Sequence, residues 1–123
     1  MSNTQVIMKG SKTILATGLS SDEMDCNCTN PRCHYTLVND ELLERWNKLR
    51  TGMAQPLKIN SAYRCMAHNE SEGGVADSRH TLGRALDVSF EGVDQAKLTD
   101  FAARCFPFIK IYSTFVHVDI RSL

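Results

Sequence analysis

The sequence has no excess of charge of either sign, and it is poor in aromatic residues and proline. Its 123 residues include 14 Lys and Arg against 14 Asp and Glu, 7% aromatic residues and 3 prolines. A neutral chain lacks the long-range attraction that phosphate backbones and anionic lipid surfaces require. We therefore expect no nucleic-acid partner.

The sequence also lacks a long hydrophobic run. Its longest mainly apolar region, 101–112, is interrupted by Arg104, Pro107 and Lys110, and it falls short of the roughly 20 residues that a membrane span needs. The N-terminal segment has neither the basic patch nor the apolar stretch of a secretory signal. We expect a protein that is made in the cytoplasm and has no membrane partner.

No internal repeat, low-complexity tract or linker-like change of composition divides the chain. We therefore expect a single domain that spans residues 1–123, and we expect a monomer. The spacing of apolar residues predicts a helix that begins after Asn39 and ends near Gly52, and a second helix over 94–105. Short β-like runs lie at 57–62, 85–90, 108–112 and 115–120. This mixed order predicts an α+β fold, in which two main helices flank a small, mostly antiparallel sheet.

Two histidines and an aspartate in the C-terminal half have the residue types of a catalytic zinc site. His80 lies in a predicted loop, Asp87 at the entry of a strand, and His117 in a later strand, where Asp119 shares its face. Two imidazoles and one carboxylate, with water in the fourth position, form such a site. By spacing alone this motif is weak, because ordinary cores and turns also use histidine and aspartate as hydrogen-bonding residues.

The neighbouring residues form a longer pattern that spans about residues 20 to 121. It consists of Ser61-Ala62-Tyr63-Arg64-Cys65, His68-Asn69, Gly73-Gly74, Ser78-x-His80-x-x-Gly83-x-Ala85-x-Asp87 and Phe115-Val116-His117-Val118-Asp119. In order and spacing the pattern resembles the zinc D-Ala-D-Ala carboxypeptidase and endolysin-type peptidase family, within the lysostaphin, D-Ala-D-Ala metallopeptidase and hedgehog superfamily. It looks most like the short branch found in phage lysis proteins and some bacterial murein endopeptidases.

The resemblance implies a hedgehog-like fold and a zinc peptidase that cleaves bacterial peptidoglycan as a D,D- or L,D-type carboxypeptidase or endopeptidase. It implies that His80, Asp87 and His117 bind the zinc ion. It also implies that Arg64 is a cation near the substrate, although an arginine that braces its loop is the alternative. Ser78 is a candidate for binding a substrate oxygen or, alternatively, for capping its loop.

The resemblance leaves the general base unassigned. Several branches carry an acidic residue or histidine three positions before the last zinc ligand, where this sequence has Thr114, which cannot take a proton at neutral pH. Asp119 is our candidate base, and its alternative role is to orient His117 by accepting a hydrogen bond. His68 is the next candidate.

Cysteine is plentiful for a chain of this kind. The sequence has five cysteines, an odd number, and shows no export signal. Both features favour free thiols or metal ligands over disulfides. Cys26, Cys28 and Cys33 lie in one turn-rich segment, where a structural zinc completed by His34 or Cys65 is one interpretation and a loop of partly buried thiols is the other. The fifth cysteine falls on the apolar face of the second helix and is a predicted core residue.

Three classes of function remain open. The first is an endolysin-type cell-wall hydrolase, which a holin-type protein would release to the wall. The second is a hedgehog-like binding module that keeps zinc but has lost turnover, as Thr114 suggests. The third is a zinc-finger-like interaction domain organised by the cysteines.

Overall fold

The computed structural model of the protein describes residues 3–16, 19–54, 57–74, 78–89 and 94–120. In chain order the elements within these ranges are β1 Thr4–Met8, β2 Ile14–Ala16, β3 Leu19–Ser20, β4 Tyr35–Asn39, α1 Asp40–Met53, β5 Lys58–Ser61, α2 Met66–Ser71, β6 Ala85–Ser89, α3 Gln95–Cys105, β7 Phe108–Ile111 and β8 Val116–Asp119. Two 3₁₀ turns lie at Ser21–Met24 and Arg79–Leu82.

The main sheet has four strands in the order β5-β6-β8-β7, and each neighbouring pair is antiparallel. β1 pairs with β4, and β2 pairs with β3, also antiparallel. The predicted α+β fold, with antiparallel strands and two main helices, is confirmed. The four predicted strands all form, although the last residue of the predicted run 85–90 lies outside the described residues.

The first helix begins where the sequence predicts. The side chain of Asn39 accepts hydrogen bonds from the backbone N–H groups of Glu41 and Leu42, which have no partner within the helix. The buried face of α1 consists of Leu42, Trp46, Leu49 and Met53. No helix in the described ranges is both long and apolar enough to cross a membrane.

The helix ends one residue later than the predicted Gly52, and the residue that terminates it is not the glycine. The helix continues to Met53, and Ala54 ends it in the left-handed region at φ 54°, with its N–H bonded to the Arg50 carbonyl. A Cβ atom on Gly52 would lie 3.1 Å from the ring of Phe101 on α3. The glycine therefore lets the two main helices approach closely.

The hydrophobic core lies between these helices and one face of the main sheet. Leu86 and Val88 on β6 and Val116 and Val118 on β8 are 0% exposed. On α3, Leu98 and Ala102 are buried, and Cys105 packs against the core while partly exposed. Because side chains alternate along a strand, the residues between these valines and leucines project from the opposite face of the sheet.

We predict that Gly83→Ala destabilises the fold by more than about 2 kcal/mol. Gly83 has a φ of +70°, which costs a residue with a Cβ roughly 1–2 kcal/mol. The added Cβ would also overlap the backbone carbonyl of Leu37 on β4. Gly10→Ala is the matched control, because φ is +81° but no atom lies within 4 Å of the added Cβ. Urea unfolding measures both; equal losses would contradict the close packing at Gly83.

Candidate active site

The register between β6 and β8 sets Asp87 directly opposite His117. Paired residues of antiparallel strands project to the same face of the sheet. The pairing continues outward from Asp87 to Ser61 on β5 and from His117 to Lys110 on β7. One row of polar side chains therefore crosses all four strands on the face opposite the core.

His80 reaches this row from the 3₁₀ turn Arg79–Leu82. The hydroxyl of Ser78 accepts a hydrogen bond from the His80 N–H at 3.3 Å and so caps the turn. Gly83 ends the turn in the left-handed region. His80 is 3% exposed, and its ring lies edge-on to that of His117, with the centroids 5.1 Å apart.

The three predicted metal ligands converge on one point. Oδ1 of Asp87 lies 3.2 Å from Nε2 of His80 and 3.0 Å from Nδ1 of His117. All three donor atoms lie within 4.8 Å of one another. Tetrahedral bonds of about 2.0 Å to zinc place neighbouring nitrogen and oxygen ligands about 3.3 Å apart. The spacing of the donor atoms therefore suits a zinc ion.

The outward nitrogens of both imidazoles are held by acceptors. Nδ1 of His80 lies 2.7 Å from the carbonyl oxygen of Ala62, which only accepts, so this nitrogen donates. Nε2 of His117 lies 2.8 Å from Oδ2 of Asp119 and donates to the carboxylate. In a neutral imidazole the other nitrogen then carries a lone pair. Both lone pairs face the same carboxylate oxygen, an arrangement that a shared cation stabilises.

The charges of the site favour cation binding. Burial raises the pKa of Asp87, but hydrogen bonds that His117 and His80 donate when their inner nitrogens are protonated outweigh burial and hold it below its ordinary value. A cation would take the place of those protons. Burial lowers the pKa of His117, but hydrogen bonds with Asp87 and Asp119 outweigh burial and raise it. Asp87 is therefore an ionised carboxylate at neutral pH and a suitable ligand.

Arg64 contacts the outer oxygen of the same carboxylate. Its Nη2 lies 3.1 Å from Oδ2 of Asp87, its Nε donates to Ser61 Oγ at 3.1 Å, and its Nη1 donates to Asn69 Oδ1 at 3.4 Å. These contacts brace the guanidinium through side chains. They use three of its five N–H groups.

A cleft of about 520 Å³ lies over the donor atoms. Arg64, Ser78, Arg79 and Lys110 are among the residues that line it. Three of these are cations, so the cleft suits a substrate that carries a carboxylate. The hydroxyl of Ser78 both caps the turn and borders the cleft, and its binding of a substrate oxygen stays a prediction.

The two candidates for the general base, Asp119 and His68, and the residue Thr114 lie in different positions. Asp119 is 0% exposed, and its carboxylate lies behind His117 at the outward nitrogen. Thr114 is exposed just before β8. His68 faces Glu72 on the same helical segment, with Nε2 3.6 Å from Oε1, and borders a different, shallower depression beside Cys28. The position of Asp119 favours the orienting role over the base.

Several residues of the site have roles that the sequence did not reveal. The Ala62 carbonyl fixes His80, and Ser61 and Asn69 hold Arg64. Lys110 joins the site because β7 pairs with β8 at His117. The signal that could have identified Ser61 and Lys110 is the pairing of the strands. Once the register of the sheet is known, both residues lie in the same row as Asp87.

The segment that carries Cys26, Cys28 and Cys33 lies against Cys65, the residue that follows Arg64. Cys26, Cys28, Cys33 and Cys65 bring their sulfur atoms within 4.8 Å of one another. His34 is exposed and is not part of this group. Of the two residues considered as the fourth member, Cys65 therefore has the required position.

Comparison with known protein families identifies the family of the chain. Residues 17–119 match the family model described as Peptidase M15, and no curated protein matches the chain. The matched span contains His80, Asp87, His117 and Arg64. Because the match covers most of the chain, the protein belongs to the Peptidase M15 family, whose peptidases are zinc-dependent.

Proposed function

We propose that the protein is a zinc-dependent hydrolase of bacterial peptidoglycan, of the phage endolysin type. The observation that carries this proposal is the convergence of His80 Nε2, Asp87 Oδ1 and His117 Nδ1 beneath a cationic cleft. Family membership supports peptide-bond hydrolysis. The motif pattern that resembles murein peptidases supports peptidoglycan as the substrate class.

The donor set determines what the site can do. Zinc held there would supply Lewis acidity, which activates a water molecule and polarises a peptide carbonyl. The Ala62 carbonyl and Asp119 hold the two rings with their inner nitrogens directed at the donor centre. Arg64 holds the outer oxygen of Asp87, which leaves Oδ1 directed inward.

The cationic wall supports a role in substrate binding. Arg64 keeps two N–H groups beyond its three contacts in the described part of the chain, and Arg79 and Lys110 border the same space. A guanidinium pairs with a carboxylate in a fixed geometry. We propose that these residues hold a carboxylate of a peptidoglycan stem peptide while its peptide bond lies over the donor atoms.

The cellular route is part of the same proposal. We propose a monomer that is made in the cytoplasm and reaches the wall after a holin-type protein has opened the membrane. A charge balance of 14 against 14 supports a protein that stays free of anionic surfaces on the way.

A zinc-containing binding module is the second candidate. Among the described residues that line the cleft, the carboxylates are Asp87 and Asp119, and both contact His117. Thr114 stands where several related peptidases have an acid. A site without a proton acceptor would bind the peptide and leave it intact.

We predict that zinc-loaded protein cleaves purified muropeptides and that a chelator abolishes cleavage. His117→Ala should reduce cleavage to background, whereas Lys48→Ala on the exposed face of α1 should not change it. Mass spectrometry of the products distinguishes release of one terminal residue from conversion of cross-linked dimers to monomers. Binding of muropeptides without cleavage would establish the binding module, and cleavage by His117→Ala would exclude the proposed centre.

The buried contact between Asp119 and His117 generates a second prediction. If Asp119 orients the ring, Asp119→Asn weakens zinc affinity about 10–100-fold, and added zinc restores turnover. If Asp119 is the general base, turnover falls on the order of 10²–10⁴-fold at full zinc occupancy. We expect the first result. Zinc titration followed by rate measurement at saturating zinc separates the two roles, and no effect on either quantity would exclude both.

A third prediction concerns the exposed position three residues before His117. Thr114→Glu should raise the turnover of zinc-loaded protein, because it supplies a proton acceptor where several related peptidases carry one. Thr114→Gln is the matched control, since it has nearly the same shape and no basic group. Equal rates for the two variants would show that a glutamate at this position cannot reach the reacting water.

A further inference from the structure

Four thiols from two separate parts of the chain meet beside the cleft. Cys26, Cys28 and Cys33 come from the segment 25–34, and Cys65 immediately precedes α2. Cys26 is buried and the other three are partly buried, and all four are free thiols. We call these four residues the thiol cluster. They are separate from the donors His80, Asp87 and His117.

We propose that the thiol cluster binds a zinc ion through four thiolates and that this ion has a structural role. The sulfur of Cys65 lies 3.8 Å from that of Cys26 and 3.8 Å from that of Cys28. Tetrahedral Zn–S bonds of about 2.3 Å place neighbouring sulfur atoms about 3.8 Å apart. The sulfur atoms of a disulfide lie only about 2.05 Å apart. The observed spacing excludes a disulfide between these sulfur atoms and matches the spacing around a shared zinc ion.

The surroundings of the cluster suit thiolates. Nζ of Lys9 lies 3.6 Å from the sulfur of Cys28 and 3.3 Å from its carbonyl oxygen. The backbone N–H of Cys65 donates to the sulfur of Cys26 at 3.4 Å. Zinc with four thiolates carries a net charge of about −2, so a nearby ammonium group and N–H donors stabilise it. Binding releases the four thiol protons to solvent.

The position of the cluster indicates what the ion would stabilise. Residues 25–34 form no helix or strand, so backbone pairing within an element does not order them. The Asn27 side chain donates to the Asn60 carbonyl at 3.1 Å, and the Tyr63 N–H donates to the Met24 carbonyl at 3.2 Å. A tetrathiolate ion would hold this irregular segment to the start of α2, where Cys65 lies. Because the ligand Cys65 follows Arg64 directly, the ion would also fix the backbone of that arginine.

The first experiment isolates this site from the histidine centre. In the variant His80→Ala/His117→Ala, native mass spectrometry should still show one bound zinc. Cobalt substitution should give the intense near-ultraviolet charge-transfer absorption of thiolate ligands. Adding Cys65→Ser should remove both signals. Adding Cys105→Ser instead should keep both, because this partly buried cysteine of α3 lies outside the cluster.

A second experiment uses the unmodified protein and does not depend on any variant folding. In zinc-loaded protein, four cysteines should resist alkylation and become reactive when chelator is added, while the reactivity of Cys105 should not depend on the chelator. Peptide mapping identifies the protected residues. Protection that is independent of the chelator, or masses that show disulfides among the four, would overturn the proposal.

The thiol-cluster proposal and the proposed hydrolase fail separately. Protein that cleaves muropeptides but holds zinc only through His80, Asp87 and His117 would overturn the thiol-cluster site alone. A thiolate zinc retained by the double-alanine variant, together with wild-type protein that leaves muropeptides intact, would overturn the hydrolase alone.

Discussion

The hydrogen-bonded register between β6 and β8 is the constraint on which the candidate active site depends. It pairs Asp87 with His117, and a slip of β8 by one residue would turn His117 toward the core. The register is held by apolar burial on the other face of the sheet, where Val116 and Val118 on either side of His117 are 0% exposed. The same alternation therefore builds the core and places the donors. Moving a donor would require burying a polar side chain among the helices, which is costly without a partner.

The donor atoms are also oriented from outside the centre. The Ala62 carbonyl holds the ring of His80, Asp119 holds that of His117, and Arg64 holds the outer oxygen of Asp87. Each contact fixes a side chain by the atom that faces away from the centre, so the inner atoms stay available to a cation. Such outer contacts reduce the reorganisation that ligands need before they bind a metal. A fully buried carboxylate serves this purpose well, because water does not compete for its hydrogen bond.

The sequence predicted the features that depend on local pattern. The two main helices and the four strands of the main sheet follow from periodicity and capping residues, whereas the candidate ligands His80, Asp87 and His117 follow from the family resemblance of the motif pattern. Features that depend on distant contacts were missed or left open. Gly52 looked like a helix end, but its contact with Phe101 on α3 appears only when the helices pack. β1 and β4 were not predicted, because the mostly exposed side chains of β1 give no apolar alternation. The fourth member of the cysteine group could likewise not be chosen between His34 and Cys65 until the fold placed Cys65 beside the other three.

The five residues 61–65 link the candidate active site to the thiol cluster, because each of them contributes a different contact. Ser61 supports the guanidinium of Arg64, and the carbonyl of Ala62 fixes His80. The N–H of Tyr63 donates to the carbonyl of Met24, directly before the segment 25–34 that carries three of the thiols. Arg64 reaches Asp87, whereas the next residue, Cys65, contributes the fourth sulfur atom. A planar peptide bond joins these last two residues. A metal ion that orders the thiol cluster would therefore restrain the backbone that carries Arg64. Through the contact of Arg64 with Asp87, it would also restrain the carboxylate at the centre of the candidate active site.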